Sequence, residues 1–396
     1  MAHALLSPSS ASRWLVCTPS ARLEAKKPDT ESEAAKEGTV AHSLGELLIR
    51  RHINEISEQK FKIEFTKIKK ITNKDGEPYY NQSMLDYCED YAAHVIERLA
   101  DARKQTTDAK LFLERKLDLT DYIPEGFGTG DAAVVADGTL HIIDLKYGKG
   151  VPVYAPENKQ MMVYALGWLM DFDWQYDIRD ISMTIFQPRI DNISTWPISR
   201  DDLLMWAKEE LKPKAAIAFK GEGEKVAGKH CQFCRLRATC KTNADYNLRV
   251  TKYDLKIPDQ LSEKQIADIL DIEKGVVSWL KAVKEHALHE ATTNGKKYPG
   301  FKLVKGRSNR VITDEDKLAK ALNKAGFKDT VIYKPKELLG ITALELEVGA
   351  TEFAVIADKF IAKPDGKPTL VDITDKRPEI DSAQKVIDAF DDDFTL

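Results

Sequence analysis

The chain has 396 residues, 43% of them hydrophobic and 31% charged, with a net charge of −4. That length is about two domains' worth, and the apolar share is enough for a sizeable core. The slight acidity argues against a protein that coats nucleic acid by bulk charge, although a basic surface can be local. No apolar run approaches the roughly 20 residues of a membrane helix. The opening MAHALLSPSSASRW lacks a basic-then-apolar leader, so a cytoplasmic location is expected, with no membrane partner. Residues 7–24 begin with Ser and Pro helix-start signals. Residues 31–53 read as an amphipathic helix with Ala41, Leu44, Leu47 and Leu48 on one face. Residues 54–80 are polar and turn-rich, with a turn at Asp75-Gly76. Residues 82–104 form a second helix. Strands follow at 111–117, 131–136 and 139–147, the last two joined by a tight turn at Asp137-Gly138. A helix over 157–170, strands at 181–187 and 193–198, and a helix over 199–219 complete a mixed sheet flanked by helices, an α/β (α+β) core. Beyond a Gly- and Lys-rich stretch at 221–230 lie a long helix over 261–293, strands within 299–312, a short helix at 315–325 and a loop at 363–379. The expected division is a core over 1–250, an accessory domain over 251–385 and an acidic flexible tail over 386–396.

The densest chemistry lies in GTGDAAVVADGTLHIIDLKYGKG, residues 128–150. Pairing about the Asp137-Gly138 turn brings Asp131 and Asp144 to the same end of a hairpin. Two carboxylates there can hold a divalent cation through oxygen, as Mg²⁺ requires. Lys146, two residues on, points to the same face of the strand as Asp144 and adds positive charge. Phosphodiester hydrolysis needs both features. An isolated D-x-K is common as a surface ion pair. The apolar neighbours Ile142, Ile143 and Leu145 bury this one, and a buried charged pair has a partner or a job. His42 can add an imidazole ligand, although a single His is more often structural. Gln160 and Tyr164, at i and i+4, share a helix face and can bond the carboxylates or a DNA backbone.

Five cysteines are too few for a disulfide scaffold. Three of them, Cys231, Cys234 and Cys240, form C-x₂-C-x₅-C, a spacing that points to metal. The fourth ligand must come from a distance. Cys17 and Cys88 are the candidates, with His230 as a substitute, and Cys88 in its helical pattern reads as a small buried residue. Four thiolates suit zinc or a four-iron cluster. Either would clamp the start of the chain to the end of the core.

Together these residues resemble the RecB-like branch of the PD-(D/E)XK nucleases. The resemblance is carried by G-T-x-x-H at 38–42, G-D at 130–131, D-L-K at 144–146 and Q-x-x-x-Y at 160–164, over roughly residues 7–245. One cysteine before these motifs and C-x₂-C-x₅-C after them is similar to the iron–sulfur staple of AddB-type helicase-nucleases and CRISPR-associated RecB-like exonucleases. LSPSSASRWLVC and GKPTLVDITDKRPEI are similar to a phage- and prophage-encoded group of such nucleases. The resemblance implies that His42, Asp131, Asp144 and the Leu145 main-chain carbonyl bind Mg²⁺ or Mn²⁺. It implies catalysis by Asp131, Asp144 and Lys146, with Gln160 and Tyr164 orienting DNA or the ligands. It also implies a 4Fe-4S cluster, or alternatively Zn²⁺, on Cys17, Cys231, Cys234 and Cys240. The expected activity is that of a metal-dependent DNA nuclease, an exonuclease on duplex ends or single strands, in phage DNA replication or recombination within a bacterial host. The alternative is a scaffold that grips DNA or a partner without cutting.

The last third carries no identifiable chemistry. Lys302–Arg310 can meet DNA phosphates. The tail DAFDDDFTL resembles the acidic, hydrophobic tips by which single-strand-binding proteins recruit partners, so replication proteins are expected to dock there.

Overall fold

The computed structural model describes residues 4–28, 32–249, 262–304, 317, 320 and 323–325. Two short helices, α1 (Ala11–Trp14) and α2 (Ser20–Glu24), open the chain. Three longer ones follow: α3 (Glu33–His52), α4 (Glu58–Ile68) and α5 (Gln82–Gln105). Ser32 caps α3 by accepting from the Ala35 amide, and Asn81 caps α5 through the Met84 amide. Strands β1 (Lys110–Asp118), β2 (Phe127–Ala136) and β3 (Gly138–Leu145) lead into helix α6 (Lys159–Phe172). Strands β4 (Ile178–Gln187) and β5 (Asn192–Ser199) complete the sheet.

The five strands lie in sequence order. Only the β3–β4 pair is parallel, and α6 is the crossover that parallel pairing demands. The others are antiparallel. Gly138, at a φ of 86°, supplies the left-handed turn that closes the β2–β3 hairpin, with Ala136 opposite Thr139. The result is a mixed α+β fold with helices on both faces of the sheet. On one face α6 packs on Leu117, Ala133, Val135, Leu140 and Ile142, joined by Trp14 of α1. On the other, α3 and α5 cover Ala132, Ile143, Leu145 and Phe186.

Some expectations are corrected here. The 54–80 stretch contains α4, whose Phe61 and Ile68 are buried against α3 and α5, while its polar majority faces outward. The expected helix over 199–219 is present without a break, as α7 (Arg200–Trp206) and α8 (Lys212–Lys220) continued through a wider π turn at Ala207–Leu211 where Ala207 and Leu211 are both buried. After a short helix, α9 (Lys241–Asn247), comes the long α10 (Glu263–Thr293). Residues 299–304 form no strand. The rest of the basic stretch to Arg310, nearly all of 315–325, the loop at 363–379 and the acidic tail fall outside the described residues.

The chain divides into two compact units, 1–252 with 275–338, and 253–274 with 339–396. The first holds the sheet and every site residue expected above. Among the described residues, no helix is long and apolar enough to cross a membrane.

Close packing at the sheet gives a test. A Cβ at Gly130 would sit 2.5 Å from Nε1 of Trp168, a side chain with no exposed surface. Gly130→Ala is expected to cost about 1–3 kcal/mol, as overpacking does. It should lower the chemical-denaturation midpoint. An unchanged midpoint would mean that Trp168 gives way freely.

Candidate active site

The register that sets Ala132 against Ile143 puts Asp131 and Asp144 side by side at the open end of the hairpin. Asp131 Oδ2 is a junction. It accepts from the Leu145 amide at 2.9 Å and lies 3.1 Å from His42 Nδ1. Helix α3 brings His42 this close because Gly45, one turn on, lets the helix approach its neighbours: a Cβ there would be 3.0 Å from Tyr91 and 3.7 Å from Leu145.

Asp144 is 3% exposed. Its Oδ2 lies 2.9 Å from Lys146 Nζ, at an angle too oblique for a hydrogen bond, and no other donor reaches that buried oxygen. Gln160, in the first turn of α6, bridges the pair. Its Oε1 accepts from Lys146 Nζ at 3.1 Å and its Nε2 donates to Asp144 Oδ1 at 3.4 Å. Asn158 fixes that turn by capping the Gln160 and Met161 amides. Gln160 was expected near the carboxylates. It touches both the acid and the lysine. Tyr164 lies one turn on and is 9% exposed. Its hydroxyl is held well above the usual phenol range by burial and by the two aspartates.

Sequence reading missed Glu114. It stands in β1 opposite Asp131, where the ladder steps from Leu113↔Ala132 to Arg115↔Gly130. Its φ of 44° breaks the strand geometry. Donor atoms of His42, Glu114 and Asp131 all lie within 4.8 Å of one another. Among the described residues this grouping takes in Glu114 and leaves out Asp144, which was expected to share the ion with His42 and Asp131. The only signal in the sequence was an acidic residue in the middle of a strand, and that has many innocent explanations.

The charges shift one another in opposite directions. Burial alone would depress the His42 imidazole, but the Asp131 carboxylate overrides it and raises the pKa to about 9. Burial works against ionised Asp131, yet His42 and Lys146 outweigh it and hold the acid below its usual range. For Asp144, burial wins over Lys146 and the pKa rises. Lys146 is also buried, but the two aspartates keep it firmly protonated. Burial and the nearby Asp131 raise Glu114 to about 7.

Four cysteines meet elsewhere. Cys17, Cys231, Cys234 and Cys240 line one small cavity of about 30 Å³, with Ser20 and His230. All five cysteines are free thiols. Cys88 is apart, fully buried in α5, and its thiol donates to the Ala41 carbonyl at 3.4 Å. The protein brings Cys17 across by its own contacts. Thr18 Oγ1 donates to Glu222 O at 2.7 Å, and Arg22 Nε to Phe219 O at 2.6 Å. Glu24 accepts from Arg13 Nε at 2.7 Å and from the Arg235 amide at 2.8 Å.

A mixed α+β sheet with an acid–imidazole–lysine centre at one end and a thiol-lined cavity apart from it defines the class. The chain belongs to the family described as protein of unknown function (DUF2800), whose profile matches residues 3–378. The crystal structure of SSO0001 is similar at 15% identity, over 57% of this chain and 95% of that one, with a TM-score of 0.22. So loose a likeness says nothing of what this chain does.

Glu24 offers a direct test of the docking. Glu24→Ala strands Arg13 and the Arg235 amide, and removing one partner of a largely buried pair costs about 3 kcal/mol. Limited proteolysis should release the N-terminal segment sooner than in the unaltered protein. Equal cleavage rates would show that other contacts hold the segment.

Proposed function

We propose that the protein is a divalent-metal-dependent DNA nuclease of the PD-(D/E)XK type, acting on DNA ends or single strands. The observation that carries this reading is the meeting of His42, Asp131, Asp144 and Lys146 at one end of a hairpin, with Gln160 bridging acid and lysine. The donor set fits Mg²⁺ or Mn²⁺. It is rich in carboxylate oxygen with one imidazole. One buried oxygen, Asp144 Oδ2, has the Lys146 ammonium beside it at 2.9 Å as its ion-pair partner. Asp131, Asp144 and His42 would hold the ion, with Glu114 beside them and the Leu145 carbonyl on the side of β3 where its amide meets Asp131. When bound, such an ion supplies positive charge to a phosphate and acidifies water.

The chain's own residues then divide the work. Lys146, kept as an ammonium by two carboxylates, acts as a hydrogen-bond donor and positive charge toward a non-bridging phosphate oxygen. Gln160 fixes the lysine's direction, so the charge is placed before substrate arrives. Tyr164, kept neutral, can donate to a phosphate or to Asp144. A place in phage replication or recombination follows from the sequence resemblance alone.

The cysteine cavity supports a second metal. Among the described residues, no three of its sulfurs lie within 4.8 Å of one another. A 4Fe-4S cluster, with zinc as the alternative, follows from the sequence resemblance and from the four thiols lining one cavity. Ser20 Oγ, buried without a partner, also faces this cavity. The cluster's role is structural.

Cleavage of labelled single- and double-stranded DNA should require Mg²⁺ or Mn²⁺. Asp144→Asn and Lys146→Ala should each cut kcat by about 100-fold or more with the circular dichroism unchanged. Glu114→Gln should raise the metal concentration for half-maximal rate about 10-fold. Normal cutting by the first two variants ends the nuclease reading. Tight DNA binding with no cleavage under any metal favours the non-cutting scaffold instead. Protein purified without oxygen should contain iron and acid-labile sulfide and be brown, and Cys231→Ala should be colourless. Stoichiometric zinc in the unaltered protein would replace the cluster assignment.

A further inference from the structure

We infer that the loop from Gly148 to Val151, between β3 and α6, binds the phosphate backbone of a nucleic-acid strand next to the catalytic centre; the identity of this ligand rests on the nuclease reading.

The loop begins two residues after Lys146, so anything bound on it lies beside the reacting phosphate. Its inner side is fully built. Gln187, the last residue of β4 and 1% exposed, reaches into it. The Gln187 amide nitrogen donates to the carbonyls of Gly148 at 2.6 Å and Val151 at 3.0 Å, and its oxygen accepts from the Val153 amide at 3.0 Å. Asn192 donates to the Val153 carbonyl at 2.7 Å, and Ser194 Oγ accepts from the Ala155 amide at 3.0 Å. Side chains of the β4–β5 hairpin, Gln187 buried and Asn192 half-buried, thus take up the carbonyls of Gly148, Val151 and Val153 and, with buried Ser194, fix the loop's path.

The outer side has the opposite character. Residues 148–151 are all exposed. None of their amides donates to a protein acceptor among the described residues. With the Gly148 and Val151 carbonyls taken up by Gln187 and the four exposed amides left without a protein acceptor, the loop keeps backbone donors available to an anion. Lys149 has no ion pair among the described residues, and no carboxylate occurs in the sequence between Lys146 and Ala155. The two glycines are not explained by the protein's own packing. A Cβ at Gly148 or Gly150 would meet nothing within 4 Å, and neither position needs a left-handed φ. What glycine provides there is room for a ligand to approach the backbone closely. Because the loop is already fixed, little ordering entropy opposes binding.

The test uses the full chain carrying Asp144→Asn, which stops cleavage, and a fluorescent single-stranded oligonucleotide titrated over a range of salt. Adding Lys149→Ala should weaken binding about 5-fold near 0.1 M salt and flatten the log–log salt slope by about 0.7, the loss of one phosphate contact on a single strand. Lys149→Arg should restore both. Gly148→Ala with Gly150→Ala should also weaken binding while leaving the unfolding midpoint unchanged, which a merely structural role would not do. In protein with Asp144 intact, Lys149→Ala should raise KM more than it lowers kcat. Wild-type affinity and salt slope in the Lys149 and glycine variants would overturn the loop assignment. If Lys146→Ala has then lost cleavage, the nuclease reading stands alone. A protein that neither binds nor cuts the strand loses both.

Discussion

One carboxylate oxygen, Asp131 Oδ2, holds the centre together. It joins a backbone amide of β3 to an imidazole on α3, so a helix and two strands meet at a single atom. The amide contact keeps the hairpin end from fraying, and it fixes where Leu145 and Lys146 fall. The imidazole contact tells α3 how far to approach. Asp144 takes its place through the register that this junction ends, and Gln160 through the crossover that the parallel β3–β4 pair requires. Sheet topology, helix packing and side-chain geometry therefore converge on the same few ångströms.

The hairpin was legible in the sequence because two local signals agree. Asp137-Gly138 names the turn, and a two-residue turn dictates which residues face each other. Once that register is set, the positions of Asp131, Asp144 and Lys146 follow from alternation alone. The helices carrying His42 and Gln160 were legible from their apolar spacing and caps. That they approach the same carboxylates was not, because a helix pattern gives a face and no distance. Gly45 supplies the distance, and its role shows only once Tyr91 and Leu145 lie against it.

What escaped the sequence escaped for physical reasons. Alternation along β1 treats Glu114 as one polar residue among several, and the backbone distortion that turns it toward Asp131 leaves no mark in composition. Helix α4 buries little beyond Phe61 and Ile68, so its charged surface reads as loop. Gln187 ends a strand, where a polar residue looks like a boundary. Its burial and its bonds across to residues 148–153 are tertiary facts. The same holds for the cysteines. Spacing brings three together, but Thr18, Arg22 and Glu24 bring the fourth, through contacts to chain some 200 positions away.

The charges explain how such a centre can fold before any cation arrives. Two aspartates and Glu114 crowd one end of the sheet, and left unpaired in a buried place they would repel strongly. The protein answers with cations of its own. His42, its pKa lifted to about 9, stands by Asp131, and Lys146 stands by Asp144. The two pairs are not equivalent. Asp131 has an amide and an imidazolium, and its acid is strengthened. Asp144 is more deeply buried, has the Lys146 ammonium and Gln160 as its partners, and its acid is weakened by burial. On the nuclease reading, Asp131, Asp144 and His42 would hold a divalent ion that would supply positive charge to a phosphate, and Lys146 adds its own charge there. The asymmetry between two neighbouring aspartates thus separates one tied to the β3 backbone and to α3 from one held by Lys146 and by Gln160 of α6.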